Sequence, residues 1–133
     1  MRMKKIVANK DIYWDFIRDL RNHPDVKEGF VKQNHISREE HIRFMSKHGV
    51  QYFICLVDDE PAGYVGVIDN DIRVATHPKF QGVGVGKFMV NELMRLFPKS
   101  HAKVKINNEA SLKLFESCGF KKKYYILEKD DAS

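Results

Sequence analysis

Cysteine is scarce in this sequence: two among 133 residues, Cys55 and Cys118, with no CxxC pair. That excludes a disulfide framework and a zinc knuckle, and both thiols read as buried in a reducing compartment. Long apolar runs are missing too. Gly49 to Val57 lacks Asp, Glu, Lys and Arg, but a membrane span needs about twenty such residues. The four prolines, at 24, 61, 78 and 98, stand singly, each at an expected element boundary. There is no repeat, low-complexity tract or Pro/Gly/Ser linker. HExxH is absent, and His41 and His48, seven apart on one expected helix, have no carboxylate at ligand spacing, so no metal site is expected. The basic start Met1-Arg2-Met3-Lys4-Lys5 leads into no apolar signal core, which makes the cytoplasm the expected location.

What is present fits one domain spanning 1–133. Hydrophobic residues at 43% and charged residues at 31% are ordinary for a globular chain and too apolar for a disordered one. The net charge is 23 − 18 = +5. An anionic partner and a merely solubilising basic surface account for that equally well. Lys121-Lys122-Lys123 is the only tight basic run, and no aromatic-interleaved basic segment supports a nucleic-acid platform.

Apolar spacing predicts a helix over 11–22, with Ile12, Tyr13, Phe16, Ile17 and Leu20 as its stripe. Ser37 with Glu40 forms a capping box for a second helix over 37–48, with Ile42, Phe44 and Met45 inward. Residues 52–57, 62–68 and 71–76, separated by Asp58-Asp59-Glu60-Pro61 and Asp69-Asn70, read as an antiparallel meander. A helix to about Phe97, a strand over 102–106, a helix with Ser111, Leu114, Phe115 and Cys118 on one face, and a strand over 122–127 follow. Gly119 is the expected left-handed helix cap and Phe120 its hydrophobic contact. The fold class is therefore α/β (α+β): a mixed, mostly antiparallel sheet flanked by helices.

The segment with chemical content is Gln81-Gly82-Val83-Gly84-Val85-Gly86-Lys87, between a strand and a helix. Glycines at 82, 84 and 86 clear side chains from the backbone, so successive N–H groups can share one concavity with the helix N-terminus and hold a diphosphate. A plain strand-to-helix turn needs fewer glycines. A Walker A loop would need glycine at Gln81 and Ser/Thr at Phe88, and a Rossmann GxGxxG would need glycine at Lys87 or Met89. The pattern that fits is [RQ]xxGx[GA], after a strand ending Val74-Ala75-Thr76.

This loop resembles the acetyl-CoA pyrophosphate motif of the GNAT acetyltransferase superfamily. Downstream, Asn107, Ala110, Leu114, Phe115, Gly119 and Phe120 resemble its NxxAxxLYxxxGF signature. More weakly, residues 20–26 and 36–41 are similar to the branch of ribosomal-protein N-terminal and nucleotide amino-sugar acetyltransferases. The resemblance implies acetyl transfer from acetyl-CoA to a primary amine by direct attack. It implies that the Val74, Ala75 and Thr76 backbone pairs with the pantetheine arm, and that an N–H near Val74–Ala75 polarises the carbonyl. The amides of Gly82, Val83, Gly84, Val85, Gly86 and Lys87, with Gln81, would hold the pyrophosphate. Asn107 would bond the pantetheine arm, Phe115 would stand beside the cofactor, and Lys79, Lys87 and Lys113 would be candidates for the 3′-phosphate.

The chain departs from that pattern in three places. Phe115 stands where the family often has the tyrosine that protonates the leaving thiolate, and Ser111 is the candidate replacement acid. A thiol has an ordinary pKa of about 8.5, so roughly 2 kcal/mol is at stake at pH 7. The strand 102–106 has no carboxylate, which leaves Asp69 and Asp71 nearest; Asp71 is the candidate base, against a simple turn role. Freeing a lysine amine at pH 7 costs about 4–5 kcal/mol and an α-amine about 1, so weak base machinery favours an amino sugar or protein N-terminus. Finally, only one strand's worth of chain follows Phe120, and a second subunit could cover the resulting edge. The alternatives are a non-catalytic acyl-CoA-binding domain of the same fold and a nucleic-acid-binding protein.

Overall fold

In the computed structural model, which describes residues 3–27 and 35–130, four strands form one antiparallel sheet in the order β1-β2-β3-β4. They are β1 (Lys4–Ala8), β2 (Tyr52–Val57), β3 (Glu60–Ile68) and β4 (Asp71–Thr76). The β2–β4 meander is the expected one. Its turns have positive φ at Asp58, Asp59, Asp69 and Asn70, the conformation of type I′ hairpins. Pro61 falls at the register shift between β2 and β3, where a missing N–H is tolerated. β1 was not anticipated; its five residues become a strand by pairing with β2 from Lys4↔Val57 to Ala8↔Phe53.

Alternation along β2 sorts the core onto two faces. Cys55 and Val57 point to one, with Val65, Val67 and Ile72, beneath α4 (Val85–Leu96) and α5 (Glu109–Ser117). Tyr52, Ile54 and Leu56 point to the other, with Tyr64, Ile68 and Ala75, beneath α1 (Trp14–Asn22) and α3 (Arg38–His48). Short α2 (Pro24–Lys27) follows α1.

The capping box at Ser37 forms as expected: Oγ accepts from Glu40 N at 3.2 Å and donates to Glu40 Oε1 at 3.0 Å. The inward stripes differ in detail. The first expected helix opens as a 3-10 turn (Asp11–Tyr13), which turns Ile12 out to 76% exposure. On α3 the buried pair is His41 and Met45, and Ile42 faces out. Gly119 takes the left-handed cap (φ +92), Phe120 N donates to Phe115 O at 3.0 Å, and the two rings lie 5.2 Å apart.

Two expected strands are absent. Residues 102–106 join no ladder: only His101 bridges β4, in parallel fashion, before the segments diverge. Residues 122–127 likewise have no ladder partner, and Tyr124, Tyr125, Ile126 and Leu127 are exposed. A strand exists through its neighbour's hydrogen bonds, and among the described residues neither segment has a ladder neighbour.

Candidate active site

On β4 the backbone alternates between two sides. His77 N donates inward to Ala62 O at 2.8 Å, and Ile72 N donates outward to His101 O at 2.9 Å. Period-two geometry therefore turns the N–H and C=O of Val74 and Thr76 to the outer edge and those of Ala75 to β3. Past Ile72 no described strand covers that edge. Of the three pantetheine-pairing residues expected, the two at 74 and 76 present backbone groups to it. Gln81 Nε2 donates to the outward Thr76 carbonyl at 3.4 Å, tying the loop to the strand end.

The loop then turns through Gly82 (φ +80) and Gly84 (φ +83), both left-handed, where an L side chain is strained. A Cβ at either would meet nothing within 4 Å, so their conformation, and not crowding, calls for glycine. Gly86 serves differently: its Cβ would lie 3.3 Å from Leu114 Cδ2, where α5 crosses the first turn of α4. The first helical bond of α4 is Phe88 N to Gly84 O at 3.1 Å, and Gly84 caps without a side chain. The N–H groups of Val85, Gly86 and Lys87 are thus the open first turn of a twelve-residue helix. With open space before Gly82 and Gly84, this fits a diphosphate. Val83 and Lys87 are exposed at its rim. Lys79 is engaged with Glu60 (2.9 Å), and Lys113 lies exposed on α5.

The downstream signature has its asparagine seven positions before the aromatic. Counted back from Phe115 that residue is Asn108, with Ser111 and Leu114 at the intervening positions; the reading from Asn107 was one residue early. The structure agrees that Asn108 holds the helix start, its Oδ1 accepting from Ser111 N at 3.1 Å, while Asn107 lies exposed in the preceding turn. Ser111 is half-buried on the first turn of α5, and Phe115 is 5% exposed beneath it.

On the sheet face under α1 and α3, Tyr52, Gly66 and Arg73 are paired in a row across β2, β3 and β4. A Cβ at Gly66 would come within 2.8 Å of the Tyr52 ring, so the glycine makes room for it. Asp71 Oδ2 lies 3.3 Å from Arg73 Nε, making the candidate base an ion-pair partner as well. Burial raises the Tyr52 and Tyr64 phenols above their ordinary value, and nearby Arg21 and Arg73 pull the other way. Cys55, buried beneath α4, has its thiol pushed up to about 11; Cys118 is half-buried, not fully buried as expected. His77 Nδ1 accepts from Lys79 N at 3.1 Å, capping the turn before the glycine loop. Among the described residues there is no cluster of three or more metal-ligating side chains, and no helix long and apolar enough to cross a membrane.

A sheet opened beside its last strand, with a glycine loop at that strand's end starting a helix, defines a protein that binds an extended, diphosphate-bearing cofactor. Residues 9–120 match the model of the acetyltransferase (GNAT) family, and the chain belongs to that family. It is an acetyl-CoA-dependent N-acetyltransferase. Among curated proteins it is 28% identical to the acetyltransferase PseH of Campylobacter jejuni subsp. jejuni serotype O:23/36 over 122 aligned positions, which cover 80% of this chain and 75% of that protein. Its fold is similar to the spermidine N-acetyltransferase of Vibrio cholerae in complex with CoA and spermine (TM-score 0.81, 19% identity, 95% of this chain and 85% of that one). It is also similar to yncA of Salmonella typhimurium with its cofactor acetyl-CoA (TM-score 0.72, 18% identity, 89% and 79%).

Proposed function

We propose that the chain is a single catalytic domain over 1–133 that acetylates a low-pKa primary amine, an amino sugar or a protein N-terminus. The observation that carries this is the continuous backbone surface from the outer edge of Val74 and Thr76 to the open amides of Val85, Gly86 and Lys87. Bound acetyl-CoA would supply the activated acetyl group. Gln81, Gly82, Val83, Gly84 and the first turn of α4 would hold its diphosphate, and Val74 and Thr76 its pantetheine arm, together with Asn107 and Asn108. The Val74 N–H would polarise the reacting carbonyl, since Ala75 N–H is turned toward β3.

In this reading Asp71 accepts the amine proton and Ser111 donates one to the departing thiolate. An α-amine or a sugar amine is freed of its proton at pH 7 far more cheaply than a lysine, so these acceptors ask least of the base. Phe115 supports α5 from below. The exposed apolar run Tyr124–Leu127 supports a homodimer in which a second copy covers it. The reading keeps the protein in the cytoplasm.

The test is thiol release from acetyl-CoA with a panel of amines: a peptide N-terminus, an amino sugar and a lysine side chain. Low-pKa amines are expected to react fastest at pH 7. Saturable acetyl-CoA binding with no thiol release on any amine would favour the non-catalytic acyl-CoA-binding alternative.

A further inference from the structure

Arg21, near the end of α1, is half-buried. Among the described residues the ion pairs are Lys5–Asp59, Arg73–Asp71, Lys79–Glu60 and Arg95–Glu92, and none engages Arg21. Its guanidinium carbon sits 4.6 Å from the Phe44 ring centroid instead. Its Nη1 lies 3.5 Å from Nδ1 of His41, whose Nε2 is 2.8 Å from the Trp14 carbonyl. A carbonyl only accepts, so Nε2 bears the proton and Nδ1 turns a lone pair toward Arg21. A ring face and a neutral nitrogen thus fix the cation in place and leave its charge unmatched.

Arg21 adjoins the Tyr52–Gly66–Arg73 row through Phe44, whose ring centroid lies 6.0 Å from that of Tyr52. Its charge acts on Tyr52 and Tyr64, and Tyr64 is the register partner of Ala75 on β4. The Arg73 charge acts on the same two phenols. Asp71 is taken up by Arg73, and Asp15 and Arg18 act on His41 from α1. Around Tyr52, Tyr64 and His41 the acting charges are thus three arginines (Arg18, Arg21 and Arg73) against two carboxylates (Asp15 and Asp71).

We propose that Arg21 anchors an anionic oxygen, of a phosphate or a carboxylate, carried by the amine substrate, and so selects acceptors bearing both an amine and an anionic group. The inference rests on the acetyl-transfer reading, because the base of that reading, Asp71, shares this face with its ion-pair partner Arg73. A planar guanidinium suits either oxygen pair through two parallel N–H donors. A polycationic amine would meet like charges there.

The test uses CoA-saturated protein with 15N-labelled arginine, the cofactor keeping added anions out of the glycine loop. The Arg21 Nε signal, assigned by its loss in R21K, is followed while inorganic phosphate and acetate are titrated separately. At least one anion should shift it saturably, and the arm that saturates names the oxygen source. Followed in the variants through the backbone amides of α1 in uniformly 15N-labelled protein, Arg21→Gln should weaken that binding at least about tenfold, with Arg21→Lys intermediate and serving alone should the glutamine variant fail to fold. No saturation in either arm, or binding unchanged in both variants, overturns the proposal. Failure of the wild-type protein to bind CoA, read by calorimetry on the same samples, would instead overturn the acetyl-transfer reading and leave the Arg21 titration interpretable.

Discussion

The amide of Ile72 donates to the carbonyl of His101 at 2.9 Å, and there the two segments part. Two residues on, the Val74 amide faces the same side, with no strand among the described residues to receive it. The ladder thus stops in mid-strand, and in the proposed reading the next outward donor serves the acetyl-CoA thioester.

The glycine loop yields a stability prediction that separates its members. Gly84→Ala forces an alanine to φ +83, at a cost of roughly 1–2 kcal/mol. It creates no clash, since nothing lies within 4 Å of the new Cβ. Thermal unfolding should fall by several degrees and CoA affinity should drop with it. Gly86→Ala has no such backbone strain and needs Leu114 to move only slightly from 3.3 Å, so its unfolding midpoint should change less.

The catalytic assignments are tested together. Asp71→Asn should lower kcat on the order of 10²-fold if the carboxylate accepts the amine proton, with acetyl-CoA affinity unchanged. Ser111→Ala should also lower kcat, most where free thiolate is scarce, below about pH 8.5. Phe115→Tyr, restoring a hydroxyl where relatives often have one, should rescue Ser111→Ala. Thiol-release kinetics across pH in the three single variants and the Ser111–Phe115 double variant measure all of this.

How much of this was readable from the chain depended on the range of each interaction. The loop 81–87, the Ser37 capping box and the Gly119 cap are settled within a few residues, and local chemistry identified them. β1 was missed because Lys4–Ala8 is a strand only through residues 53–57. The Tyr52–Gly66–Arg73 row likewise depends on register between distant segments. Residues 102–106 have strand-like composition but no neighbour in ladder position. Asn108 was within reach of the sequence: counting seven back from Phe115 finds it.

Stability should fall on mild acidification through His41. Burial lowers its pKa below the ordinary 6.5, outweighing the bond to Trp14 O. The unfolded chain then takes up a proton that the folded chain resists. The contribution is complete above about pH 6.5 and is lost as pH falls toward the depressed folded value. Unfolding midpoints measured between pH 8 and 5 should decline below that point, and a His41→Gln variant, though less stable at pH 8, should decline less.

Calorimetric titration of coenzyme A into the folded protein is the most direct test of the central claim that backbone amides between Gln81 and Lys87 hold its diphosphate. The account predicts saturable one-site binding that weakens in Gly84→Ala. An absence of heat with protein shown to be folded, or affinity unaffected by the Gly84 change, would contradict it.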